Sequence, residues 1–100
     1  MKALIVGADR VEPIKRALRD DPRLAGLRET EHWSGRKVGD ERRRIPGDTA
    51  LVVVVCDRIS HPLLRHVRDE ARRLGLPMLY ARHSLVEIRE KLADLALAPA

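Results

Sequence analysis

Phenylalanine is absent from this 100-residue chain, and Trp33 and Tyr80 are its only large aromatics. Any core it builds is therefore aliphatic. Cysteine occurs once, at Cys56, which excludes an internal disulfide and suits a reducing compartment. The longest apolar run, Ala50 to Cys56, is seven residues, where a membrane-spanning helix needs roughly 20. At the start, one lysine followed by Ala3-Leu4-Ile5-Val6 is too short for the apolar core of a signal peptide. These absences predict a soluble, cytoplasmic protein. Neither GxxxxGK nor GxGxxG occurs, so neither common phosphate-cradling loop is present.

What is present suits one folded domain spanning 1–100. Hydrophobic residues make up 44% and charged residues 35%, and the apolar residues are concentrated in runs. The net charge is +5, and only Lys2, Lys15, Lys37 and Lys91 are lysines, so arginine dominates the basic side. Two readings follow from that excess: a solvated basic rim, or an anionic ligand.

Ala3-Leu4-Ile5-Val6, ended by Gly7, predicts a short buried strand. Val11-Glu12-Pro13 opens a helix with Ile14, Ala17 and Leu18 on one face, and Asp20-Asp21-Pro22 stops it. Leu27 to His32 is a second strand with weak alternation, followed by a polar stretch with a helical turn between Asp40 and Ile45. The β-branched run from Ala50 to Val55 lacks alternation, which means a strand covered on both faces. Ser60 caps a helix carrying Leu63, Leu64, Val67, Ala71 and Leu74, which Gly75 and Pro77 end. Met78 to Ala81 is a fourth strand. Ser84 and Glu87 predict a capping box for a last helix facing the core through Leu85, Ile88, Leu92 and Leu95. Alternation of this kind predicts a three-layer α/β fold, Rossmann-like or flavodoxin-like, with a four-stranded parallel sheet in the order 2-1-3-4.

That topology puts the turns after all four strands on one edge, where ligands bind at the switch point between strands 1 and 3. The turns carry Gly7-Ala8-Asp9-Arg10, His32-Trp33-Ser34-Gly35-Arg36-Lys37, Cys56-Asp57-Arg58-Ile59-Ser60-His61 and Arg82-His83-Ser84. Arg10, His32, Asp57, His61 and His83 are expected together there, with His66 away from them. Arg10, Arg36, Lys37 and Arg82 supply donors for phosphate or carboxylate. Ser60 and Ser84 mark helix N-termini, which favour negative charge. Trp33 is expected to stack on a ring of the ligand, with His61 and Ser60 orienting it.

Three other chemistries draw on the same residues or on the remaining arginines. His32, Cys56, His61 and His83 are ligand types for a metal or haem, although their spacings match no metal motif. Arg42, Arg43 and Arg44 suit nucleic-acid phosphates, but no helix-turn-helix or stacking platform accompanies them. Enzymatic motifs are incomplete. Position 62 is proline where a phosphatase loop beginning at Cys56 needs arginine, and Asp57 lacks the paired acids, fifth strand and lysine of a receiver domain. Cys56, ending a strand buried on both faces, is expected to be shielded. No catalytic residue is assigned.

Together the four edge motifs resemble a family of small uncharacterised bacterial proteins, the domain of unknown function numbered twenty-three twenty-five. They are Leu4-Ile5-Val6-Gly7-Ala8-Asp9-Arg10, His32-Trp33-Ser34-Gly35, Asp57-Arg58-Ile59-Ser60-His61, and Gly75-Leu76-Pro77 running to Arg82-His83-Ser84. Many members carry cysteine after the aspartate, where this chain has Arg58. Many also carry lysine and cysteine in the next helix, where it has Arg68 and Ala71. The resemblance implies the fold and an edge site and names no activity. The protein is expected to bind a small anionic ligand, a nucleotide among the candidates. A homodimer is expected from the open sheet edges.

Overall fold

The computed structural model describes residues 1–24, 27, 29–36 and 39–94. In chain order the elements are β1 (Lys2–Val6), α1 (Glu12–Asp20), β2 (Glu29–Trp33), β3 (Thr49–Val55), α2 (His61–Leu74), β4 (Met78–Ala81) and α3 (Leu85–Asp94). Single 3-10 turns lie at Pro22–Leu24 and Asp40–Arg42. The sheet is four-stranded and all parallel, in the order β2-β1-β3-β4 expected from the sequence.

Side chains of a strand alternate between faces, and here each face has its own helices. Ala3, Ile5, Leu51, Val53, Val55, Leu79 and Ala81 meet Ile14 and Leu18 of α1 and Ile88 and Leu92 of α3. Leu4, Val6, Val52 and Val54 meet Leu63, Val67 and Ala71 of α2, closed off by Trp33 and Ile45. Every residue of β3 from Leu51 to Val55 is fully buried, which explains its unbroken apolar run. Burying a side chain of this size contributes about 1.5–3 kcal/mol, so β1 and β3 form the rigid centre of the sheet.

The helix boundaries follow local chemistry. Ser60 caps α2, its Oγ accepting from the Leu63 N–H, and Gly75 ends the helix at φ +69°. Leu74, expected in the core face, is exposed. Leu95 lies outside the described residues. The capping box at α3 is half formed. Ser84 Oγ accepts from the Glu87 N–H, but the Glu87 carboxylate turns back to Arg82 rather than to Ser84. The second strand begins at Glu29 and reaches Trp33, one residue beyond the expected His32. Among the described residues, no helix is long and apolar enough to cross a membrane.

Candidate functional site

The chain reverses direction across the sheet between β1 and β3, and the turns after those strands close on each other there. Gly7 adopts φ +97°, and the Cβ it lacks would meet the carbonyl oxygens of Arg58 and Val55 at 2.9 and 3.0 Å. The Ala8 N–H donates to the Arg58 carbonyl at 2.8 Å, and the Gly7 N–H to that of Trp33 at 2.8 Å. Ala8 itself holds φ +62°.

Two histidines complete the framework. His32 Nε2 lies 3.0 Å from the Gly7 carbonyl oxygen and 2.9 Å from that of Ala8. His83 Nε2 lies 2.8 Å from the Arg10 carbonyl oxygen, and its backbone N–H donates to Asp57 Oδ1 at 2.8 Å. Carbonyls only accept, so both rings carry their proton on Nε2. The turns after β1, β2, β3 and β4 are thus tied by a chain of hydrogen bonds, with His32, Asp57 and His83 as linkers.

Over this framework lies an open cleft of about 490 Å³ lined by Ala8, Asp9 and Arg10 after β1, Ser34, Gly35 and Arg36 after β2, Arg58, Ile59 and Ser60 after β3, and His83 after β4. Three arginines and one aspartate line it. Arg36 Nη2 pairs with Asp9 Oδ2 at 2.5 Å, both side chains at least half exposed. Arg10 and Arg58 are exposed and pair with no acid among the described residues. Ser60 brings the positive end of the α2 dipole to the wall.

Several expected site residues stand elsewhere. Trp33 is 1% exposed, so it presents no face to a ligand. It points into the α2 layer, where its Nε1–H donates to Glu31 Oε2 at 2.7 Å and the Arg43 guanidinium lies 4.8 Å from the ring centroid. Arg82 does not line the cleft. Its Nε donates to Glu87 Oε2 at 2.8 Å. The side-chain bond from Arg82, then the bond from the Arg82 backbone N–H, hold the Glu87 carboxyl below its usual range. Ser84 acts as the α3 cap. His61 is the exposed first residue of α2 and also lies outside the lining. Lys37 falls outside the described residues.

Cys56 is exposed, against the expectation that it is shielded, because β3 ends at Val55 and Cys56 begins the turn. Among the described residues, no three His, Cys, Asp or Glu side chains are grouped to hold a metal ion. The Nε2 atoms of His32 and His83 are committed to carbonyls, which leaves Nδ1 as the ring atom each could offer to a metal. Of the arginine triplet, Arg43 turns inward to Asp40 Oδ1 and Glu31 Oε2, while Arg42 and Arg44 are exposed. His66 Nε2 lies 2.5 Å from the Arg43 carbonyl oxygen, apart from the cleft.

The sequence reading missed Arg58, Ser34 and Asp9 as cleft residues. Arg58 has the same signal as Arg10, a position two or more residues beyond the end of a central strand at the switch point. Comparisons with protein-family models, curated proteins and solved structures match nothing to this chain.

Proposed function

We propose that this protein binds a small anionic ligand in the cleft at the carboxyl edge of its sheet. The observation that carries the reading is the pair Arg10 and Arg58, exposed on facing turns of the switch point with no acid partner among the described residues. Arg36 stands beside them, held by Asp9. Ser60 would add the N-terminal field of α2, and His83 would hold the Arg10 backbone in place. Ligands of this fold class sit in the same crevice. The likeness to the uncharacterised bacterial family supports an edge site and is itself a proposal. Binding without chemistry is the reading, with no catalytic residue assigned.

A homodimer is proposed alongside it. The β4 edge, Met78 to Ala81, carries no charge, whereas the β2 edge presents Glu29 and Glu31, and charge on an edge strand discourages pairing. Sedimentation velocity separates dimer from monomer.

Thermal melting tests the ligand. A ligand that binds only the native state stabilises it by about 2.7 kcal/mol at a hundredfold excess over its dissociation constant. At about 4–8 °C per kcal/mol, phosphate at that excess raises the midpoint by roughly 10 °C or more over chloride of matched ionic strength. A shift equal to that of chloride overturns the proposal.

A further inference from the structure

The Asp9–Arg10 turn has a second cleft on its other side. Its volume is about 430 Å³, and its walls are Val11, Pro13, Lys15 and Glu12 of α1 and its entry, with Asp9, Arg10, His32 and His83. Asp9, Arg10 and His83 line both clefts, so the two adjoin along one shared wall. Their chemistries differ. The first gathers Arg10, Arg36 and Arg58. The second is lined by Pro13, Lys15, His32 and His83, with the largely buried Val11 at its floor. Lys15 is drawn toward Glu12, 3.6 Å away, leaving its charge satisfied.

Resting on the anion reading above, we infer that the two clefts form one bipartite site for a nucleoside monophosphate. The phosphate would lie among Arg10, Arg36 and Arg58, with the flat heteroaromatic ring against the exposed Pro13 and the half-buried His32. Two features of the site go beyond what a bare anion requires. One is an apolar recess continuous with the cationic cleft, which gives a ring attached to the phosphate a surface to leave water for. The other is a carboxylate in the shared wall. Asp9 opposes a free anion, but it is a fitting acceptor for the hydroxyls of a sugar placed between phosphate and base. His32 and His83 are fixed by their Nε2 bonds to main-chain carbonyls, so their rings are pre-positioned walls rather than mobile ones.

The test compares adenosine 5′-monophosphate with inorganic phosphate, by calorimetry and by amide NMR. The nucleotide is expected to bind at least tenfold more tightly than phosphate. It should also shift the Val11, Lys15 and His32 resonances, which phosphate alone leaves in place. Pro13→Gln changes an exposed residue of the second cleft and leaves every arginine intact. It should remove most of the nucleotide's advantage while phosphate affinity stays the same. Phosphate binding with no gain for the nucleotide overturns the bipartite site and leaves the anion reading standing. A gain with unmoved Val11, Lys15 and His32 resonances places the base elsewhere and overturns it too. Binding of neither probe removes both readings.

Discussion

The Cβ that Gly7 lacks would sit 2.9 Å from the carbonyl oxygen of Arg58. Main-chain oxygens have little freedom to retreat, and that carbonyl also accepts the Ala8 N–H. Gly39 has a similar φ, +94°, with nothing within 4 Å of an added Cβ. The pair separates backbone strain from close approach. Gly39→Ala should cost about 1–2 kcal/mol, the positive-φ penalty alone. Gly7→Ala adds the clash and should cost clearly more, at least about 2 kcal/mol. Urea unfolding of the two variants gives the comparison, and equal losses would mean that the turns do not close as described.

Cys56 begins the turn after β3 and is exposed. It should react with a thiol reagent in the native protein at a rate close to that of the urea-unfolded chain. A native rate slower by orders of magnitude would put Cys56 back inside the sheet.

That cysteine also shows where the sequence stopped being legible. The unbroken β-branched run announced β3 and its burial on both faces, but not whether the strand ends at residue 55 or 56, and one position decides between buried and exposed. Trp33 depends on a similar single step. His32 and Trp33 are neighbours on β2 and so point to opposite faces. Glu29, Thr30 and Glu31 give that edge strand no apolar alternation from which to read the face. The topology and the gathering of Arg10, Asp57 and His83 were legible, because strand ends follow from the pattern and parallel strands share an edge. Arg82 was misassigned because pairing is not visible in spacing alone: Glu87, expected to cap α3, holds Arg82 instead.

The Arg82–Glu87 pair sets a pH dependence whose sign is fixed. Glu87 has a folded pKa below its ordinary 4.5, chiefly through the side-chain bond from Arg82. Its contribution is therefore complete above about pH 4.5 and is lost as the pH falls through the lower folded value. NMR titration of the Glu87 carboxyl should give a midpoint below 4.5 in the wild type. In Arg82→Ala it should return toward that value. An unchanged midpoint would show that the pair does not form in solution.

Asp9 pairs with Arg36 in the cleft. Replacing it with asparagine keeps the shape and frees the guanidinium. Exposed ion pairs are worth up to about 1 kcal/mol, so Asp9→Asn should tighten phosphate binding by about two- to fivefold. The same change should narrow the advantage of the nucleotide over phosphate, because the acceptor for its hydroxyls is weakened. Weaker phosphate binding would mean that Asp9 supports the anion rather than competing with it.

The most direct test of the cleft is calorimetric titration of inorganic phosphate, at constant ionic strength, into the wild type and four single variants. Hydrogen bonds to a charged group are worth about 1.5–3 kcal/mol. Arg10→Ala and Arg58→Ala should each weaken binding by roughly ten- to a hundredfold, and Arg36→Ala by at least as much, since it also leaves the Asp9 carboxylate unneutralised beside the anion. Arg82→Ala, which alters a side chain outside the cleft, should match the wild type. Equal affinity in all five proteins, or no measurable heat in any, would contradict an anion site at the switch point.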